Sequence, residues 1–173
     1  SYPLPLTVFR LREEDEIAVL EMGISNFGEM HRLSKIARPD ICVITNIGQC
    51  HLEFLGDRDG VLRAKSEIFD YMAEDGIIIL NGDDDKLATL HGVKGITPVF
   101  FGIDSDRKIH AENIHSLGLK GIACTICTGQ ETFDVTIPAP GYHMVYNALA
   151  GTAVGLSLGM TPEEIKRGIE KLE

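Results

Sequence analysis

The chain contains no run approaching the roughly 20 uninterrupted apolar residues of a membrane helix, so no membrane insertion is expected. Nor does it hold a cluster of lysine and arginine to offset its formal net charge of −10. A nucleic-acid surface needs clustered cations on the phosphates, so no nucleic-acid partner is expected. Its four cysteines, Cys42, Cys50, Cys124 and Cys127, are too few to form a disulfide framework for a chain of 173 residues. Cys42 lies inside an apolar run, where a free thiol behaves as a small hydrophobe. The C-x-x-C of Cys124 and Cys127 sits in the alternating stretch GIACTICTG, and strand residues three apart point to opposite faces. No second pair accompanies it, so a structural role is expected over a metal or redox one. The opening SYPLPLTVFRLREEDE lacks the charged-then-apolar layout of a signal peptide, and a reducing cytoplasm is the expected compartment. Also missing is any match to G-x-x-x-x-G-K-[ST], and no Gly-Lys dipeptide occurs anywhere. If the chain meets a nucleotide, glycine amides, magnesium and a few cations must supply the phosphate contacts here.

What is present is globular. Apolar residues make up 44% and charged ones 24%, enough for a substantial core in a single domain spanning 1–173. The first half alternates apolar runs with helical patterns, the pattern of an α/β fold with a mostly parallel sheet and crossover helices. EIAVLEM (Glu16 to Met22) reads as a strand apolar on both faces. Ser25 or Asn26 is placed to cap a helix carrying Met30, Leu33, Ile36 and Ala37 on one stripe, which Arg38-Pro39 stops. DICVITNI (Asp40 to Ile47) is the next core strand, followed by a helix from about Asp59 to Glu74 that Gly76 ends. GIIIL leads into the polar turn NGDDD (Asn81 to Asp85), DDKLATLHG predicts a short helix, and PVFFGID another strand. Over 108–138 the pattern changes to period two, clearest at Phe133, Val135 and Ile137, and predicts a small antiparallel extension of about three strands. Residues 141–159 predict a buried apolar helix, and Thr161-Pro162-Glu163-Glu164 a well-formed start for the last one. There are no internal repeats.

Glu21, His51 and Lys65 stand out against this frame, because α/β sheets place reactive groups at the carboxyl ends of their strands. Glu21 stands near the end of the first strand-like run, and His51 follows the second. Each has an ordinary alternative, a solvent-facing carboxylate and a hydrogen-bonded imidazole. Lys65 shares a helical stripe with Val61, Ile68, Phe69 and Met72. A lysine there is costly unless its tip reaches the surface. A desolvated amine has a lowered pKa and is nucleophilic. It can add carbon dioxide to form a carbamate, reversing its charge and creating a magnesium-binding carboxylate. Asn81 and Asp83 in NGDDD are either solvated caps or contacts to a nucleotide's ribose or metal. His143 and Asn147, in PGYHMVYNALA, head the buried helix, where an amide either reads an adenine edge or satisfies local backbone.

Six segments in order, PLPLTVFRL, AVLEMGISNFGEM, PDICVITNIGQCHLEFLG, GVLRAKSEIF, GIIILNGDDD and PGYHMVYNALA, resemble the central domain of the Mur ligases. These are ATP-dependent amide-forming enzymes of peptidoglycan synthesis. HLE after the second apolar run is most like the branch that joins D-Ala-D-Ala to UDP-MurNAc-tripeptide. The resemblance implies ATP and Mg2+ as cofactors. It implies that Glu21 and His51 are magnesium ligands, that Lys65 is carbamylated, and that Asn147 and His143 lie by the adenine. Met144 departs from it, standing where many relatives carry asparagine. The family's phosphate loop, its UDP-sugar domain and a third domain have no counterpart in these residues, so the chain reads as a truncated central domain that is inactive by itself. Two other readings stay open. One is another ligase of the superfamily, of folylpolyglutamate or cyanophycin synthetase type, and the other is a catalytically silent acidic α/β binding domain.

Overall fold

A computed structural model describes residues 4–104 and 106–172. Ser1, Pro3 of PLPLTVFRL and the terminal Glu173 lie outside the described residues. The chain divides into two compact units, one made of 1–42 and 47–76 and the other of 43–46 and 77–173.

The first unit is helical: α1 (Leu4–Val8), α2 (Glu29–Ala37), α3 (Leu52–Leu55), α4 (Arg58–Ser66) and a 3-10 turn at Glu67–Phe69. Neither Ser25 nor Asn26 caps α2 as expected. Both bind Glu29 instead, through the Ser25 amide (2.7 Å) and Asn26 Nδ2 (3.1 Å). Glu67 does the capping, its carboxylate accepting the amides of Gly28 (2.9 Å) and His31 (3.2 Å). A negative charge over the amino end of a helix is electrostatically favoured. The buried stripe is also rotated from the expected one. Met30 and Ser34 are buried while Ile36 is 43% exposed. Ser34 tolerates that position because its hydroxyl donates to Ile68 O (2.6 Å) and accepts the Tyr71 amide (3.2 Å). Arg38, in the left-handed region at φ 44°, ends the helix ahead of Pro39.

The expected strand over Glu16–Met22 is not formed. Those residues are irregular, and Ile17 and Val19 are 59% and 90% exposed. Apolar alternation can nominate a strand, but a strand needs a hydrogen-bonded neighbour, and among the described residues this run has none. The helix expected over 59–74 is shorter too. Asp57 caps it by accepting the Gly60 amide (2.8 Å), and regular winding stops at Ser66.

The second unit holds the sheet. Strands β1 (Ile41–Ile44, entering this unit at Val43), β2 (Ile77–Asn81), β3 (Val99–Gly102), β4 (Ile109–Ser116), β5 (Ile122–Cys127) and β6 (Thr132–Ile137) lie in that order. β2, β3 and β4 run parallel, and β4, β5 and β6 antiparallel, so the expected 108–138 extension is continuous with the parallel part through the β3–β4 ladder. The helix expected in DDKLATLHG is a single 3-10 turn, Leu87–Thr89, which Asp84 caps. α5 (His143–Ser157) lies across β2, β3 and β4, with Val145 and Leu149 fully buried along with Phe101 and Ile79 of the strands. α6 (Pro162–Glu170) packs on β6 and α5. Among the described residues no helix is long and apolar enough to cross a membrane.

α6 opens on a complete capping box. Thr161 Oγ1 accepts the Glu164 amide, and the Glu164 carboxylate accepts the Thr161 amide at 2.9 Å. Those bonds hold the Glu164 carboxyl below the usual glutamate range. A depressed carboxylate stabilises the fold above its unfolded pKa and loses that contribution as pH falls through the folded value. Thr161→Ala removes the side-chain cap and is expected to cost about 1 kcal/mol at neutral pH. In urea unfolding the cost should shrink in acid, once Glu164 is protonated.

Candidate functional site

Glu21, His51 and Lys65 all fall in the helical unit. Glu21 is exposed in the irregular stretch, not at the end of a formed strand as expected. His51 is exposed and precedes α3, its backbone left-handed at φ 57°, with its carbonyl accepting the amides of Phe54 (3.1 Å) and Leu55 (3.0 Å). Lys65 occupies the last turn of α4 and is half-buried, beside a fully buried Ala64. It is less deeply set than Val61, Phe69 and Met72, three other members of the expected stripe, which are buried. Neither Glu21 nor His51 belongs to a group of three metal-ligating His, Cys, Asp or Glu side chains among the described residues.

The NGDDD turn in the sheet unit is a tightly bonded knot. Asn81 is buried, its Nδ2 donating to Thr45 O (3.0 Å) and its Oδ1 accepting the Asp83 amide (3.0 Å). Asp83 Oδ2 accepts the Ile103 amide (2.6 Å) and the Tyr146 hydroxyl (3.1 Å). Arg107 Nε stands 3.7 Å from Asp83 Oδ1, an ion pair too long for a hydrogen bond, while Nη2 donates to Gly82 O at 2.6 Å. The carboxylate fills the space where a β-carbon at Gly102 would sit. Burial, then the Asp83 charge and its hydrogen bond, push the Tyr146 phenol up to about 12. Sequence reasoning missed Tyr146 and Arg107. Tyr146 lies inside PGYHMVYNALA and was open to discovery as the neighbour of Asn147, whereas nothing in DSDRK marked Arg107.

His143 and Asn147 lie one turn apart at the amino end of α5, which puts them on one face, and both are exposed. The turn into α5 depends on Gly141, at φ 107°, against which the His143 ring packs so closely that a β-carbon would strike it. Asn147 Nδ2 rests 3.5 Å from Met144 Sδ. Met144 and Asn147 also line a mainly apolar cleft of about 380 Å³, walled by Ile137, Gly151, Ile165 and Ile169. A thioether in place of an amide makes that wall less polar.

Removing the Asp83 carboxylate leaves the Ile103 amide and the Tyr146 hydroxyl without their acceptor. Asp83→Ala is expected to cost about 2 kcal/mol in urea unfolding. Spectrophotometric titration of the milder Asp83→Asn should find the Tyr146 phenol ionising at lower pH than in the native protein, since the Asp83 charge is one of the causes that raise it.

Residues 1–155 match the family model of the Mur ligase middle domain. The chain is 39% identical over 170 residues to the UDP-N-acetylmuramoyl-tripeptide–D-alanyl-D-alanine ligase of Bacillus subtilis, covering 98% of this chain and 36% of that enzyme. To the Escherichia coli enzyme of the same name it is 35% identical over 172 residues, covering 98% and 38%. A crystal structure of MurF from Acinetobacter baumannii superposes with a TM-score of 0.91 at 34% identity, over 98% of this chain and 37% of that one. The MurF ligase of Thermotoga maritima, solved in complex with ADP, gives 0.85 at 27% identity, covering 99% and 39%. The chain thus spans little more than a third of the length of these relatives. Its sheet, its helices and its ordered motifs are those of one domain of such enzymes, and the chain belongs to the Mur ligase middle-domain family.

Proposed function

We propose that this chain is the central, nucleotide-handling part of a longer ATP-dependent ligase that joins D-Ala-D-Ala to UDP-MurNAc-tripeptide in the bacterial cytoplasm. The observation that carries this reading is the 39% identity over 98% of the chain to an enzyme of that name. Likeness to the S73A mutant of L. casei FPGS stands at 18% identity and speaks for the fold alone. With no Gly-Lys dipeptide in these 173 residues, the phosphate-gripping loop of the complete ligase belongs to residues outside them.

In the reaction, an oxygen of the tripeptide carboxylate attacks the γ-phosphorus of ATP and ADP leaves, giving an acyl phosphate. The amine of D-Ala-D-Ala adds to the activated carbonyl, loses its proton, and the tetrahedral intermediate collapses to the amide with expulsion of phosphate. Magnesium, when bound, neutralises charge on the phosphate and the oxyanion. The donor set fits that ion on one condition. Magnesium prefers oxygen ligands, and Glu21 supplies a carboxylate, whereas an imidazole at His51 is a poor partner and an amine at Lys65 none at all. Carbamylation of Lys65 converts that amine to a second carboxylate. The half-buried seat of Lys65, reached from the surface, suits an amine that must both meet carbon dioxide and stay shielded afterwards. His143 and Asn147 on their common face of α5, and Asn81 and Asp83 at the end of β2, are the proposed nucleotide contacts. For Asn81 and Asp83 the contact is through whatever lone pairs their internal bonds leave.

The test uses the complete ligase that carries this chain. Phosphate release from ATP should require both peptide substrates, and Lys65→Ala should lower it by about 10³-fold. A carbonyl resonance from 13C-bicarbonate should appear in the native enzyme and vanish in that variant. Absence of D-Ala-D-Ala-dependent release would overturn the substrate assignment. Turnover by the 173-residue chain alone would overturn its reading as one part of an active site.

A further inference from the structure

On the outer face of the antiparallel strands, His110 and Glu112 of β4 point the same way, two residues apart, and Cys127 of β5 pairs directly with His110 in register. Their ligand atoms, one from each side chain, all lie within 4.8 Å of one another. His110 Nδ1 is 2.7 Å from the Arg107 carbonyl, an acceptor, so Nδ1 carries the hydrogen and donates it. In the neutral ring that leaves the Nε2 lone pair aimed at Glu112 Oε1, 3.3 Å away. Two acceptors face each other there and repel unless something positive lies between them. A second proton on the imidazole meets that need, but it leaves the third member of the group unused. Cys127 is only 7% exposed, and its Sγ makes no hydrogen bond among the described residues. Burial, and then the nearby Glu112 carboxylate, push its thiol pKa up. The arrangement brings a carboxylate oxygen, an imidazole nitrogen and a buried thiol together at one point.

The geometry points to a divalent transition-metal site of the zinc class, with His110 Nε2, Glu112 Oε1 and Cys127 Sγ as its three protein ligands and water as the fourth. Bonds of about 2.0–2.1 Å to nitrogen, 2.0–2.2 Å to oxygen and 2.3 Å to sulfur place tetrahedral ligands roughly 3.3 to 3.6 Å apart. The His110–Glu112 separation of 3.3 Å already has that value, and the thiol needs only to close toward it. As the metal–sulfur bond forms, the thiol proton leaves to solvent and the carboxylate that had opposed ionisation becomes a fellow ligand. A histidine that donates its other nitrogen to a backbone carbonyl is the usual arrangement of a metal ligand, because that bond fixes ring and tautomer. One thiolate and one imidazole select a borderline-soft ion over magnesium or calcium. The ion would tie β4 to β5 just before the register shift that lies between Glu112 and His115, where the ladder is interrupted and Asn113 takes a φ of 51°. It owes nothing to the ligase chemistry and stands whether or not that assignment holds.

Cobalt(II) is the probe, added to the chelator-treated intact protein that carries this chain. The expected result is a thiolate-to-cobalt charge-transfer band with tetrahedral ligand-field absorption, saturating at one equivalent and abolished by added zinc. Cys127→Ser and His110→Ala should lose the band, and Cys50→Ser and Cys124→Ala should keep it. Glu112→Gln, on an exposed side chain that leaves the sheet intact, should weaken cobalt affinity by more than the about tenfold that loss of an outer-shell partner costs. No thiolate band in the native protein, a band that survives Cys127→Ser, or an unchanged affinity in Glu112→Gln would each overturn the site.

Discussion

Everything in the sheet unit depends on α5 covering the parallel strands. A parallel ladder is stable only when its faces are dry, and β2 supplies Ile78, Ile79 and Leu80 at zero exposure. α5 covers one of that strand's two faces with Val145, Leu149 and Ala153, and with small residues that let backbone approach backbone. Each large side chain buried this way contributes about 1.5–3 kcal/mol relative to exposure. With that face closed, the carboxyl ends of β2 and β3 are held where the NGDDD turn can bond to Ile103, Arg107 and Tyr146. The polar knot at Asp83 is thus a consequence of apolar packing beneath it.

Much of the sheet was legible in the sequence, for physical reasons that differ by element. GIIIL and the ICVI core of DICVITNI are short apolar runs bounded by polar or turn residues, and they form β2 and β1, although β1 ends at Ile44 rather than Ile47. The antiparallel part was legible through period two at Phe133, Val135 and Ile137, and α6 through its capping box. Glu16–Met22 was misread because an apolar run reveals the wish to be buried but not the presence of a neighbour. The start of α2 lies two or three residues beyond the expected cap because its cap comes from Glu67, 39 positions from Gly28, and no local pattern can announce such a partner.

The candidate site was legible in a different sense. Glu21, His51 and Lys65 were nominated by residue type and by the order of surrounding segments, and the family relationship now supports the enzyme class they imply. Their individual surroundings proved plainer than their chemistry, two exposed side chains and one half-buried. For Asn81 and Asp83 the fold supplied what the sequence left open, a full set of internal bonds. Arg107 was out of reach altogether, since its partner lies across a loop and a strand. His110, Glu112 and Cys127 were out of reach for a related reason. The local spacing of the C-x-x-C pair carries no sign of them, because the register of β4 against β5 joins Cys127 to a histidine 17 residues before it.

Gly102 carries a consequence for how such sequences diverge. The space its missing side chain leaves is filled by the carboxylate of Asp83, 19 positions earlier. The two residues are therefore one inherited object. A descendant that acquires a β-carbon at 102 must in the same lineage shorten or re-aim residue 83, and with it surrender the acceptor shared by Ile103 and Tyr146. Drift at either position is coupled to the other, although neither is near its partner in the text of the gene.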